Sequence, residues 1–275
     1  MLQVDDGRLY YEVNGRGDPI VLIHAGFLDN RMWDEQFQLF AQHYKVIRYD
    51  VRGYGKSDEP KTSFSDYKDL HRLLAHLSVK TVHIVGVSNG GRIALDFAAE
   101  YPDMIHSLIL VGTGVRGRGV SGPEEEKFWG EFETQMKLQE EAVKGDRLAE
   151  ATEIDVNTWA TAQTPASQKR ILEIALENSH VQKDEPGRFQ VSPEPAAYKR
   201  LSEIRAPTLV IIGDRDVRGM RYIADDVHSK IQGSKKLVVQ GADHIVNMSK
   251  PKEFNKMVLE FLESSADPPQ DVVRG

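Results

Sequence analysis

The sequence has 275 residues, 40% of them hydrophobic, with 35 Lys and Arg against 42 Asp and Glu for a formal charge of −7. That length suits one large α/β domain or a domain with an insertion, and scattered basic residues in an acidic chain argue against a nucleic-acid footprint. The sequence contains no cysteine, which excludes disulfides, thiolate metal sites and Cys nucleophiles; no window approaches the roughly 18 consecutive apolar residues of a membrane span.

In chain order, the opening Met1-Leu2-Gln3-Val4-Asp5-Asp6-Gly7 has neither the basic nor the apolar region of a secretion signal, so a cytoplasmic protein is expected. Leu9-Tyr10-Tyr11-Glu12-Val13 alternates as a strand, and Asn14 to Pro19 is its turn. Short apolar runs follow at Ile20 to Ile23, Val46 to Tyr49, Val82 to Val87 and Leu108 to Val111, and later at Thr208 to Ile212 and Lys236 to Val239. Such runs, rich in Val and Ile and separated by helical stretches, predict strands buried on both faces of a parallel sheet. Gly90 to Tyr101 predicts a helix with Ile93, Ala94, Phe97 and Ala98 on one face and Pro102 just past its end. Phe254 to Leu262 predicts a closing helix, followed by a free tail over Ser264 to Gly275. The βα rhythm breaks between Val115 and Leu201, where the composition turns charged and helical. A core domain of residues 1–115 and 201–275 with a helical cap over 116–200 is therefore expected.

Gly86-Val87-Ser88-Asn89-Gly90 lies between a strand and a helix. The string alone arises by chance in about one chain in ten of this length. Its position is the more telling feature: a serine on a tight strand-to-helix turn needs small neighbours, and the helix N-terminus favours negative charge developing there. A serine needs a base, and the base needs an orienting group. Gly241-Ala242-Asp243-His244 follows the run Leu237-Val238-Val239, which puts His244 on the same sheet edge as Ser88. Thr208 to Ile212 ends in Gly213-Asp214-Arg215-Asp216, and either aspartate can orient the imidazole.

The sequence resembles the α/β-hydrolase superfamily, in its carboxylesterase, enol-lactonase and haloperoxidase-like branch. The resemblance rests on His24-Ala25-Gly26-Phe27, Asp50-Val51-Arg52-Gly53-Tyr54-Gly55-Lys56-Ser57, Gly86 to Gly91 and Gly241 to His244, and covers nearly all of the chain outside the cap. It implies an α/β-hydrolase fold: a mostly parallel twisted sheet flanked by helices, with a helical cap insertion. It also implies a triad of Ser88, Asp216 and His244 in the family's chain order, with Asp216 preferred because it lies three residues after Gly213. The first block implies an oxyanion-hole loop with its amide donor at Gly26 or Phe27, since Ala25 replaces the family's usual glycine; the second donor is the amide of Asn89. His24 is expected to shape that loop, and Asp50 and Arg52 to brace the neighbouring turn.

Two motifs fail on inspection. Gly112-Thr113-Gly114-Val115-Arg116-Gly117 matches a dinucleotide fingerprint, but Arg118 to Pro123 cannot open the required helix, so the stretch reads as the hinge into the cap. Gly55-Lys56-Ser57 resembles the end of a phosphate loop, but Asp50 stands where its first glycine belongs. Metal-ligand spacing is absent and no cofactor is expected. In the cap, the helical spacing of Phe128, Trp129, Phe132 and Met136 reads first as packing against the core. Trp129 and Trp159 are candidates for a substrate pocket, with Phe27 and Asn89 beside the expected donors. The expectation is a cofactor-free serine hydrolase of carboxylic esters or lactones, with a small-molecule substrate and neither nucleic acid nor membrane as partner; the sequence does not give its oligomeric state. C–C bond hydrolysis or a lyase step on the same triad is the alternative, and a hydrolase-like ligand-binding receptor a third reading.

Overall fold

The computed structural model describes residues 1–183 and 189–266. A small hairpin of β1 (Leu2–Val4) and β2 (Gly7–Leu9) precedes β3 (Tyr11–Asn14), β4 (Pro19–Ile23), α1 (Asp34–Phe40), β5 (Lys45–Tyr49), α2 (Asp66–His76), β6 (Val82–Val87), α3 (Asn89–Glu100) and β7 (Ile105–Val111). Helices α4 (Pro123–Lys144), α5 (Leu148–Trp159) and α6 (Pro165–Glu177) come next, before β8 (Thr208–Gly213), α7 (Arg218–Lys230), β9 (Lys235–Val239), α8 (Val246–Ser249) and α9 (Pro251–Ala266). The seven-stranded sheet runs in the order β3-β5-β4-β6-β7-β8-β9, antiparallel at β3 and parallel throughout the rest.

The strand pleat divides the core in two. Val21, Ile23, Ile84, Leu108, Leu110, Val210 and Ile212 face the side covered by Leu70 and Leu73 of α2, Ile93 and Phe97 of α3, and Ala224 of α7. Ile20, Leu22, Val85, Val87, Ile109 and Ile211 face Phe37 and Phe40 of α1 and Phe254, Val258 and Leu262 of α9. Every residue of β6 is buried, as a run without polar alternation requires. Truncating one such anchor, for example Phe254→Ala, costs about 3–5 kcal/mol by the usual cavity relation.

Three expectations need correction. The stretch Leu9 to Val13 is not one strand: it breaks at Tyr10, with Leu9 closing the hairpin and Tyr11 opening β3. The β9 run is not buried on both faces, because β9 is an edge strand that leaves Leu237 40% and Val238 47% exposed. Ser264 and Ser265 belong to α9, both hydroxyls bonding back to the carbonyl of Phe261, so no free tail begins at Ser264; the remainder, from Asp267, lies outside the described residues. Among the described residues no helix is long and apolar enough to cross a membrane.

Candidate active site

The parallel strands all end on one edge, and the turns there hold Ser88, Asp216 and His244. Ser88 follows β6 directly with φ 55° and ψ −111°, a backbone conformation that costs an L-residue of order 1–3 kcal/mol. Bonds on both sides hold it. Its N–H donates to the Val111 carbonyl at 2.8 Å, and its own carbonyl accepts from Arg92 and Gly114, both at 3.1 Å. The glycines around it are demanded by close approach. A Cβ on Gly86 would lie 2.4 Å from the Gly90 backbone, one on Gly90 2.2 Å from the Ile23 carbonyl, and one on Gly91 2.3 Å from Thr113 Oγ1.

Asp216 and His244 meet from the turns after β8 and β9. Nδ1 of His244 lies 3.0 and 2.9 Å from the two carboxylate oxygens of Asp216, and both residues are buried. A carboxylate at Nδ1 favours the tautomer with its proton there, leaving Nε2 free to accept one. Asp214 turns elsewhere: its Oδ1 accepts the Gly241 amide at 2.6 Å and ties the two turns together. Gly213 lets them approach, since a Cβ there would lie 2.2 Å from the Ala242 carbonyl. The Ser88 hydroxyl itself makes no hydrogen bond among the described residues.

Gly112, read from the sequence as part of a hinge, packs against this pair. Its φ is +48°, and a Cβ on it would lie 2.9 Å from His244 Nδ1 and 3.1 Å from Asp216 Oδ2. Sequence reasoning missed the contact because a glycine advertises the room it leaves only through the residues that fill it.

The loop after β4 sits beside the Ser88 turn: a Cβ on Gly26 would be 3.9 Å from Asn89 Cβ. Among the described residues the amides of Gly26, Phe27 and Asn89 donate no hydrogen bond, so three backbone donors remain available there. His24 is fully buried; its Nδ1 bonds the Ala25 carbonyl at 2.7 Å and its Nε2 accepts the Val51 amide at 2.9 Å. Asp50 accepts the Asn30 amide at 2.9 Å and the Lys56 amide at 2.8 Å, while Arg52 pairs with Asp69 at 2.9 Å. The side chain of Asn89 is held by Arg92, whose Nε donates to its Oδ1 at 2.8 Å. Arg92 is otherwise engaged by Asp66 at 2.5 Å and Asp96 at 3.0 Å, and burial pushes the Asp96 carboxyl up to about 6.

Of the two tryptophans singled out, Trp159 reaches the site. Its ring lies 4.7 Å from that of His244 at 47° and takes the edge of Phe132 at 5.7 Å on another side. Trp129 lies instead where α4 meets α7; a Cβ on Gly219 would be 2.3 Å from its ring, and its Nε1 donates to Glu125 Oε1 at 3.0 Å. A groove of about 500 Å³ has an apolar side of Phe128, Phe132, Met136, Ile154 and Val217 and a polar side that includes Asn157 and Arg218; its Phe132 is the ring that touches Trp159. A second cavity, about 430 Å³, lies elsewhere among Arg31, Arg48, Arg170, Asp29 and Asp34, whose charges pair with one another and with Glu12 and Glu177. Among the described residues no cluster of three or more His, Asp or Glu could hold a metal ion.

A family model for the alpha/beta hydrolase fold matches residues 18–251. The human protein "Serine hydrolase BPHL" is 28% identical over 94% of this chain and 84% of its own length. The 2-hydroxy-6-oxo-6-phenylhexa-2,4-dienoate hydrolase of Comamonas testosteroni is 27% identical over 94% and 92%. A thermophilic esterase from Thermogutta terrifontis superposes with a TM-score of 0.77 over 95% of each chain at 23% identity, a likeness of fold.

Proposed function

The chain belongs to the α/β-hydrolase fold family, and from that premise we propose a serine hydrolase that cleaves carboxylic esters, lactones among them, without a cofactor. The observation that carries the reading is the buried His244–Asp216 pair, standing on the sheet edge that also presents Ser88 in its strained turn. In this reading His244 Nε2 takes the proton of Ser88 Oγ as the oxygen attacks the ester carbonyl. Asp216 holds the ring and stabilises the imidazolium. Negative charge on the carbonyl oxygen rests on the amides of Asn89 and of Gly26 or Phe27, each worth about 3 kcal/mol in the transition state. His244 then protonates the leaving alcohol, and water activated by the same nitrogen releases the acyl group. The missing Ser88 hydrogen bond is no objection, because such bonds often tighten only with substrate in place.

Residues 116–200 act as the cap in this proposal, with Trp159 as the wall of the pocket nearest the base; Trp129 anchors the cap on α7. The reading is tested with a short-chain p-nitrophenyl ester: Ser88→Ala should lose turnover while keeping its fold, and retained activity would refute it.

One observation favours a second reading, C–C hydrolysis of a carboxylate-bearing substrate. Arg116, two residues beyond the Gly114 that bonds Ser88, has a buried Nε with no acceptor and no salt bridge among the described residues. The Comamonas relative is named for such an acid. Turnover of oxo-dienoates with none of simple esters would select this reading.

A further inference from the structure

Asp243, the neighbour of His244, is fully buried, and among the described residues no Lys or Arg pairs with it. Among the described residues its carboxylate accepts from both segments packed around it. The Ala162 amide reaches Oδ2 at 2.8 Å, Gln163 Nε2 reaches the two oxygens at 2.8 and 3.0 Å, and the Ile245 amide reaches Oδ1 at 3.1 Å. A carboxylate is an acceptor at every lone pair, so it can serve all of them; an amide would turn its own N–H groups against some. Ala162 and Gln163 belong to the connection between α5 and α6, whereas Ile245 belongs to the turn of His244. One buried side chain thus clasps two segments about eighty residues apart. Gln163 adds a bond to the Ile245 carbonyl at 3.3 Å, and Ser167 Oγ bonds Gln163 Oε1 at 2.6 Å.

The clasp sits three residues beyond Trp159, whose ring lies 4.7 Å from the imidazole. We propose that Asp243 is a positioning residue: by fastening the α5–α6 connection to the His244 turn, it holds the Trp159 ring against the imidazole and fixes the orientation of the base. The proposal rests on reading His244 as that base. It assigns a function to a carboxylate that the triad leaves unused.

The test reads the ring contact directly. Protein labelled with 13C at the histidine ring Cε1 gives one proton–carbon signal per histidine, and His244→Gln identifies that of His244. In the native protein the signal carries the ring-current shift of Trp159, and Trp159→Leu marks its position without that shift. Asp243→Ala and Gln163→Ala should each move the signal toward the Trp159→Leu position and lower kcat/KM by about tenfold, the scale of a small misplacement of a catalytic group. A folded Asp243→Ala protein whose His244 signal stays at the native position would overturn the proposal. Should that variant fail to fold, Gln163→Ala, partly exposed and outside the core, decides by the same criterion. The signal is read without substrate, so ester turnover surviving in Ser88→Ala would sink the hydrolytic reading and leave this test standing.

Discussion

A methyl group on Gly112 would lie 2.9 Å from Nδ1 of His244, inside the distance any real Cβ keeps. The glycine therefore sets how closely β7 can carry its loop past the His244–Asp216 pair. Gly112→Ala must push the imidazole, the carboxylate or the loop, and at φ +48° it adds backbone strain of about 1 kcal/mol. The expected result is a folded protein whose kcat/KM is lower by about a hundredfold. Steady-state kinetics with a circular-dichroism control checks it, and native kinetics in that variant would show the pair to be looser than its geometry implies.

The two aspartates after β8 separate cleanly by substitution. Asp216→Asn replaces one of the two oxygens facing His244 Nδ1 with an NH2 donor and should lower kcat by roughly 10³–10⁴-fold, the loss expected when the imidazole is left in the wrong tautomer. Asp214→Asn weakens a loop bond to Gly241 and should cost less than about tenfold. Equal losses would mean that the acid has been misassigned.

Trp159 lies against the His244 ring. Trp159→Ala removes an aromatic contact of about 0.5–1.5 kcal/mol, so kcat/KM should fall about two- to tenfold. It also opens the site toward the groove lined by Phe132 and Met136, so longer acyl chains should lose less than acetate. A uniform loss across a chain-length series would show that the groove is no part of the substrate's path.

Acid should loosen α4 before it unfolds the sheet. Arg118 grips Glu125 through two bonds, at 2.6 and 2.9 Å, and holds that carboxyl at about 2, below its ordinary 4.5. A depressed folded-state value means the contribution is whole above pH 4.5 and is lost as pH falls from there toward 2. The Tm gap between the native protein and Glu125→Gln should accordingly be present at neutral pH and narrow across that window. A gap that is the same at pH 3 and pH 7 would remove Glu125 as its source.

Particular residues show what the sequence could and could not reveal. The Val- and Ile-rich run Val82 to Val87 announces a central strand because it shows no polar alternation, its one polar residue, His83, being buried with the rest, and the glycines around Ser88 announce a turn because backbone contacts at 2.2–2.4 Å forbid any side chain there. Leu237 and Val238 carry the same apolar pattern on an edge strand, and exposure at an edge leaves no mark on composition. The clasp of Asp243 on Ala162 joins segments whose proximity is decided by how the α5–α6 connection docks, so neither residue signals the other. Gly112 was legible as a glycine in a motif, and only the folded chain shows what occupies the space it leaves.

Ser88 as nucleophile is the centre of the account, and a covalent probe tests it most directly. Incubation with a fluorophosphonate, followed by intact-protein and peptide mass spectrometry, should give one adduct per chain on the peptide containing Ser88. Ser88→Ala should give none, and His244→Ala should slow labelling by at least about a hundredfold, since the serine then lacks its base. An adduct on a different serine, or undiminished labelling of Ser88→Ala, would contradict the assignment.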